Sequence, residues 1–316
     1  MTARVFIDGQ EGTTGLQIHD RLAGRADLRV VEIDPARRKD PEARLSLMRE
    51  VDVAILCLPD DAAVESAALA AQAGTRVIDA STAHRVAEDW VYGLPELAPG
   101  QRDAVRGAAR VANPGCYPTG MLLALRPLVD AGLVGPGHPV TVHALSGYSG
   151  GGKKMIQAFA AHPAEGQSPD WTIRSYALGL AHKHVPEMRV HGGLERSPIF
   201  CPAVGSYYQG MLVHVPLHVR DLARRTAVAE IHALLSDRYG AEPFITVLPP
   251  GGGGAAPDGF LSPTALNGTN RLELLVSGND EQVLLTARLD NLGKGASGAA
   301  VQNLNLMLDL PEASGL

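Results

Sequence analysis

The chain has 316 residues, 45% hydrophobic and 20% charged, with 35 glycines and 22 prolines but only 4% aromatics. That length fits two sizeable domains or one large one, and the composition is that of a globular α/β protein rich in tight turns. A formal charge of −6 without any dense basic block argues against a nucleic-acid partner, so an anionic small molecule must be held by a few local cations.

The first residues run directly into a strand-like segment without a signal-peptide core, and no apolar stretch reaches membrane-spanning length. Three cysteines without a CxxC pair point away from a disulfide framework or a structural zinc site. The cytoplasm is therefore the expected compartment, with no membrane partner and no metal.

Residues 4–8 read as the first strand and 14–22 as the first helix, joined by Gly9-Gln10-Glu11-Gly12-Thr13-Thr14-Gly15. Gly9 permits a tight turn, Gly12 lets the backbone approach a pyrophosphate, and Gly15 permits close helix-on-strand packing. Free amides at the helix start, with the Thr13 and Thr14 hydroxyls, then meet anionic oxygens. The spacing is GxxGxxG where the dinucleotide fingerprint is GxGxxG, so a purely structural turn is the competing reading. A second strand over 28–33 leads into Asp34-Pro35-Ala36-Arg37-Arg38-Lys39. Asp34 suits a ribose 2′-hydroxyl, whereas the basic run suits a 2′-phosphate. Three cations in succession favour NADP, with a solvated charged loop as the alternative.

A helix over 41–49, an apolar strand over 53–58, an Ala-rich helix capped by Asp60 and Asp61 and ended by Gly74, and a strand over 77–80 complete a βαβαβ alternation. Such an alternation implies a doubly wound, mostly parallel sheet. From about residue 113 the texture changes. A helix is expected over 121–129, strands over 140–145, 199–204 and 211–219, and an amphipathic helix over 221–239. Residues 271–276 and 282–289 flank Gly278-Asn279-Asp280, a hairpin signal. These elements predict a second α/β domain with a mixed sheet. Gly251 to Gly254 read as a flexible loop, a lid or a plain linker. Periodicity does not place the last helix, over 296–310.

Cys57, in an apolar strand, and Cys201, in Pro198-Ile199-Phe200-Cys201-Pro202, read as small core hydrophobes. Cys116 sits in Asn113-Pro114-Gly115-Cys116-Tyr117-Pro118-Thr119-Gly120, just before an apolar helix. A sulfur there meets unpaired amides and the positive end of the helix dipole, which favour thiolate and stabilise an oxyanion formed on attack. A nucleophilic thiolate wants an acid–base partner. The best candidates are His182 and His184 in Leu180-Ala181-His182-Lys183-His184-Val185-Pro186-Glu187, on a loop entering a helix.

Assembled, these blocks resemble the N-acetyl-γ-glutamyl-phosphate reductases of arginine biosynthesis, particularly the shorter, second type. The resemblance rests on Gly9–Gly15, Asp79-Ala80-Ser81-Thr82-Ala83-His84-Arg85, Asn113–Gly120, Ser146–Lys154, His182–Glu187, and Asp290–Gly298 through Gln302-Asn303, spanning nearly the whole chain. It implies an NADP-binding Rossmann domain over 1–115 completed by 294–316, and a catalytic and oligomerisation domain over 116–293. It implies Cys116 as nucleophile and His182 or His184, with His184 favoured, as acid–base partner. Cofactor contacts fall to Gly9, Gly12, Thr13, Thr14, Gly15, Arg37, Arg38, Ser81 and Asn303, joined by the loop at Asn113. Arg85 is similar to an arginine that holds the substrate phosphate, and Asn113, Ser146, Gly147, Lys153 and Glu187 complete the implied substrate contacts; Lys153 and Lys154 assist there or are two solvated lysines. The implied reaction is NADPH-dependent reduction of a γ-acyl phosphate through a Cys116 thioester, by a homodimer or homotetramer. The Ser146 block carries an extra glycine and Tyr148 relative to the longer type. The rival readings are another acyl-phosphate reductase, such as aspartate-semialdehyde dehydrogenase, and a non-catalytic NADP-binding thiol redox sensor.

Overall fold

The computed structural model describes residues 2–10, 12–162, 169–255 and 258–316. Glu11 of the Gly-rich turn lies outside the described residues, as does the side chain of Thr13. The chain divides into two compact units, Met1–Pro95 with Pro99–Pro114 and Ala296–Leu316, and Glu96–Ala98 with Gly115–Gly295.

The first unit begins with β1 (Ala3–Asp8), α1 (Thr13–Leu22), β2 (Leu28–Val31), α2 (Pro41–Met48), β3 (Val53–Leu56) and α3 (Asp60–Ala73). It continues through β4 (Arg76–Asp79), β5 (Val91–Tyr92), α4 (Gln101–Gly107) and β6 (Arg110–Ala112). Its six strands run parallel in the order β2-β1-β3-β4-β6-β5. The order reverses between β1 and β3, and ligands of such sheets bind outside the strand ends at that reversal. Both faces are buried. Val5, Ile7, Ile55 and Ile78 pack on one face and Phe6, Ala54, Leu56 and Val77 on the other. Two-sided burial is why β3 reads as a continuous apolar run instead of an alternation. β2 stops two residues short of expectation, at Val31.

The second unit contains α5 (Cys116–Asp130), β7 (Thr141–Gly147), α6 (Gly152–Ala160), β8 (Ile173–Ser175), α7 (Val185–His191), β9 (Ile199–Gly205) and β10 (Met211–His218). After these come α8 (Val228–Tyr239), β11 (Ile245–Val247), β12 (Leu272–Gly278) and β13 (Gln282–Leu289). The sheet order is β11-β12-β13-β10-β7-β9-β8, a mixed sheet in which β7 and β9 are parallel while β10 is antiparallel to both β7 and β13. The expected hairpin is β12–β13, paired from Leu272↔Leu289 to Gly278↔Val283.

The last helix, α9 (Gly298–Met307), belongs to the first unit, where Ala300, Val301, Leu304 and Met307 join the core beneath β1 and β3. It is buried all round, polar side chains included, which explains why no single apolar face marks it. Three expectations need correction. Cys201 is exposed, because alternation along β9 turns it, with Ile199, away from the core. Gly251 to Gly254 lie in a 3₁₀ turn over Pro250–Ala255, not in a lid loop. The helix expected from Asp221 starts only at Val228, since Asp221 ends a separate 3₁₀ turn over Val219–Asp221.

Candidate active site

In the first unit, β1 delivers its chain into the turn at Gly9, where φ is +90° and an added Cβ would stand 2.4 Å from the Cys57 carbonyl oxygen. Only glycine tolerates both the left-handed backbone and that approach. Gly15 also answers to packing, but against the turn itself: a Cβ would meet Gly9 O at 2.6 Å, where helix-on-strand contact was expected. Gly12 differs. Among the described residues a Cβ there would meet nothing closer than 3.5 Å, yet Gly12 lines a cavity of about 390 Å³ with Ile33, Pro35, Arg38, Lys39 and Cys57. Packing does not demand glycine at that position, whereas a ligand brought against the backbone does. Gly12 also caps α1 without any side-chain hydrogen bond, so first-turn amides face the cavity side uncapped.

The basic run divides. Arg37 pairs with Asp40 (Nη2 to Oδ2, 2.7 Å), while Arg38 and Lys39 line the cavity. Asp34 Oδ1 accepts from the Ala36 amide at 2.9 Å, an Asx turn that engages one of its carboxylate oxygens. At the end of β4 the buried Asp79 accepts from the Ser81 hydroxyl (2.7 Å) and contacts His84 Nδ1 (2.6 Å), whose ring stacks on Trp90 at 4.0 Å. Arg85 is buried in this turn and donates to Ala80 O at 3.2 Å. On α9, Asn303 Nδ2 donates to Gly93 O (2.8 Å) and to Asn113 Oδ1 (3.1 Å), whereas its own Oδ1 is buried without a hydrogen-bond partner. A buried amide oxygen left so is costly unless a ligand donates to it. The cavity, the uncapped helix and this oxygen fit a dinucleotide carrying a carboxamide. Thr14 is half-buried at the start of α1.

In the second unit, Cys116 is the first residue of α5 and half-buried, and Gly115 caps the helix in extended conformation with no side-chain cap. The helix begins five residues before the apolar run predicted, so the sulfur stands in its first turn. Glu187, fully buried on α7, accepts from the Gly115 amide at 2.7 Å. That bond ties the histidine loop to the cysteine turn. The neighbouring Tyr117 ring lies 6.0 Å from His182 and 5.8 Å from His184, edge-on to both, and the two imidazoles are 4.8 Å apart. His182 Nδ1 accepts from the His184 amide at 3.1 Å. Burial, then Lys183, lowers the His182 pKa to about 4, so at neutral pH that ring is uncharged with its proton on Nε2. His184 is buried at the N-cap of α7.

Three hydroxyls run beside the sulfur. Tyr176 donates to Tyr117 Oη at 2.9 Å, and Tyr117 is hydrogen-bonded to the buried Ser146. Burial, then the charges of Tyr176 and Cys116, holds Tyr117 well above the usual phenol range; burial foremost pushes Tyr176 up to about 12. Both phenols therefore remain donors. Gly295 closes the other side: a Cβ there would stand 2.7 Å from Cys116 Cβ. Its turn is pinned by a fully buried Lys294 Nζ–Glu96 Oε1 pair at 2.7 Å. Gly147 passes so close to the Tyr208 carbonyl that a Cβ would stand 2.6 Å away, and Lys153 is exposed. Sequence reasoning missed Tyr176, Gly295 and Glu96. Only Gly295 had a signal, its place in the Asp290–Gly298 block; Tyr176 follows the edge strand β8 with no local mark. Among the described residues no group of three or more metal-ligating side chains is arranged to hold an ion, and no helix is long and apolar enough to cross a membrane.

Residues 4–105 match the semialdehyde dehydrogenase NAD binding domain family, and residues 116–291 the semialdehyde dehydrogenase dimerisation domain family. The chain is 50% identical over 318 residues to N-acetyl-gamma-glutamyl-phosphate reductase 2 of Nostoc sp., covering 99% of each chain. It is 49% identical to N-acetyl-gamma-glutamyl-phosphate reductase 2 of Pseudomonas putida, again covering 99% of each. Among solved structures, aspartate semialdehyde dehydrogenase II of Vibrio cholerae complexed with ASA shares the fold with a TM-score of 0.74 at 18% identity, over 98% of this chain and 99% of that one. Aspartate semialdehyde dehydrogenase of Candida albicans, solved with NADP, aligns with a TM-score of 0.63 at 16% identity, over 98% and 99%.

Proposed function

Since the chain belongs to the N-acetyl-γ-glutamyl-phosphate reductase family, we propose that it reduces N-acetyl-γ-glutamyl phosphate to N-acetylglutamate γ-semialdehyde in arginine biosynthesis. The observation that carries this reading is the Gly115–Glu187 hydrogen bond, which brings the cysteine of the first turn of α5 and two imidazoles into one cluster. The Cys116 sulfur attacks the acyl carbon, the bond to the phosphate oxygen breaks, and inorganic phosphate leaves a thioester. A thioester accepts hydride far more readily than a carboxylate. The reduced nicotinamide, when bound, supplies that hydride. His184 takes the Cys116 thiol proton as the thioester forms and returns it to the sulfur when, after hydride addition, the C–S bond breaks and the aldehyde carbonyl re-forms. His182 is the weaker candidate, because an imidazole that protonates only near pH 4 does not carry an acidic proton as imidazolium at neutral pH.

The cofactor is a nicotinamide dinucleotide, and we assign NADP. Arg38 and Lys39 line the cavity below β1 and β3 while the Asp34 carboxylate is engaged by Ala36, an arrangement that favours a 2′-phosphate over a 2′-hydroxyl. Gly9, Gly12 and the first turn of α1 would hold the pyrophosphate, and Asn303 Oδ1 would accept from the carboxamide. Arg85 is assigned to the substrate phosphate. Assembly as a homodimer or homotetramer is supported by the dimerisation-domain match.

The test runs the reaction backward, following phosphate-dependent NADP reduction by N-acetylglutamate γ-semialdehyde and by aspartate semialdehyde. The wild type is expected to use the acetylated aldehyde, and Cys116→Ser to lose about a thousandfold or more in kcat while still binding NADP. Turnover persisting in Cys116→Ser, or a preference for aspartate semialdehyde, overturns the reading.

A further inference from the structure

Beside the cysteine cluster, within the second unit, a mostly apolar pocket of about 400 Å³ opens between α6 and β8. Its walls include Met155, Phe159, Trp171 and Tyr176, and its charged lining is Lys154 and Arg174. In a chain with 4% aromatics, three in one wall mark an unusual concentration. Phe159 meets Trp171 edge to face at 5.2 Å, and the Arg174 guanidinium lies over the Trp171 ring at 4.4 Å. Stacking uses the guanidinium face and leaves its N–H edge directed for an in-plane carboxylate. Tyr176 belongs to this wall and to the hydroxyl row at the sulfur, 2.9 Å from Tyr117 Oη, so the pocket begins where the cysteine cluster ends.

We infer that this pocket receives the N-acylated α-amino-acid end of the substrate, with Arg174 and Lys154 on the α-carboxylate and the acyl group against Met155, Phe159 and Trp171. This assignment rests on the reduction proposed above. Its chemistry follows from the charges. Among the described residues the charged groups of the lining are both cations, and these repel a free α-ammonium while attracting a carboxylate. Acylation removes that ammonium and adds a methyl group that the apolar wall can desolvate. The pocket thus combines attraction for the carboxylate with repulsion of unacylated amino acids, the pairing that specificity requires. The sequence offered Lys153 and Lys154 side by side; the cavity takes in Lys154 and leaves its neighbour outside the lining.

The experiment compares N-acetylglutamate γ-semialdehyde with its α-carboxamide analogue in the phosphate-dependent assay. Wild type, Arg174→Met, Arg174→Lys and Trp171→Ala are assayed as full chains. Arg174→Met is expected to raise KM for the acid about ten- to hundredfold, with a much smaller change for the amide, so that the acid-over-amide preference collapses. Arg174→Lys, which keeps the charge but not the planar edge, restores part of that preference, and Trp171→Ala weakens both substrates. A merely structural defect would lower both substrates equally in Arg174→Met and would not be rescued by lysine; that result overturns the assignment. Unchanged preference in Arg174→Met, with an active wild type, removes the pocket and leaves the reduction standing. A wild type silent toward the acetylated aldehyde removes the reduction itself, and the pocket with it.

Discussion

Two helices of this molecule start in nearly the same way and serve different chemistry. Gly12 caps α1 at φ −74°, ψ 159°, and Gly115 caps α5 at φ −77°, ψ 154°; neither start has a side-chain cap. Both leave backbone amides and the positive end of a dipole unanswered. At α1 a roomy cavity stands in front, with Arg38 and Lys39 on its rim, so the field is available to a ligand anion. At α5 the first helical residue is Cys116, and Gly295, Tyr117 and the histidine loop close around it, so the field acts on a sulfur of the protein itself. Cys57 is a thiol in a different setting. It lines the α1 cavity, yet burial and the nearby Asp79 and Asp8 push its thiol up to about 12. The proposed role of Cys116 therefore rests on its helix end and its neighbours, not on the mere presence of a thiol.

The strongest way to break that comparison is Gly295→Ala. Its methyl would displace Cys116 while leaving the α1 cavity untouched, and a displacement near 1 Å costs about a hundredfold in kcat. Cofactor binding, measured by titration of nucleotide fluorescence, is expected to stay within about twofold. Equal loss of both functions would show that the two helix ends are not independent.

Arg38→Ala acts at the other helix. It should raise the KM for NADP about tenfold and leave that for NAD nearly unchanged, as read from initial rates with both nucleotides. Equal effects on the two would assign Arg38 to the pyrophosphate or to structure.

The smallest effect is one of pH. The folded-state pKa of His182 is about 4 against an ordinary 6.5, so between these values the unfolded chain binds a proton that the folded chain does not. This contribution to stability is complete above pH 6.5 and declines as pH falls toward 4. Thermal unfolding followed from pH 7 to 4.5 should show a shallower decline in His182→Asn than in the wild type. Identical slopes would mean that His182 titrates normally.

Much of the cysteine cluster was legible because its parts are contiguous. Asn113–Gly120 and His182–Glu187 each carry their turn residues, their helix start and their reactive groups within a few positions. The elements that were misread share the opposite property. Cys201 looked like a core residue in its apolar run, and only the pairing of β9 beside β7 decides which face it occupies. Tyr176, on no motif, is delivered by the short edge strand β8, whose three residues are all exposed and so have no burial pattern to betray them. Lys153 and Lys154 are indistinguishable in sequence and both are exposed; one step along α6, about 100° of rotation, decides that Lys154 lines the pocket and Lys153 does not.

By itself the sequence determined the parallel βαβ alternation, the glycine that the first turn must have, the helix that begins near Cys116 and the basic segment after β2. Each depends on backbone propensity or on apolar periodicity over a few neighbouring residues. Tertiary structure alone decided the placement of α9 in the first core, the carboxylate that holds Gly115, the glycine packed on Cys116 and the division of labour between Arg37 and Arg38. Those outcomes depend on which distant groups become neighbours in a close-packed interior, and hydrogen-bond partners 72 residues apart, as Gly115 and Glu187 are, leave no periodic trace along the chain.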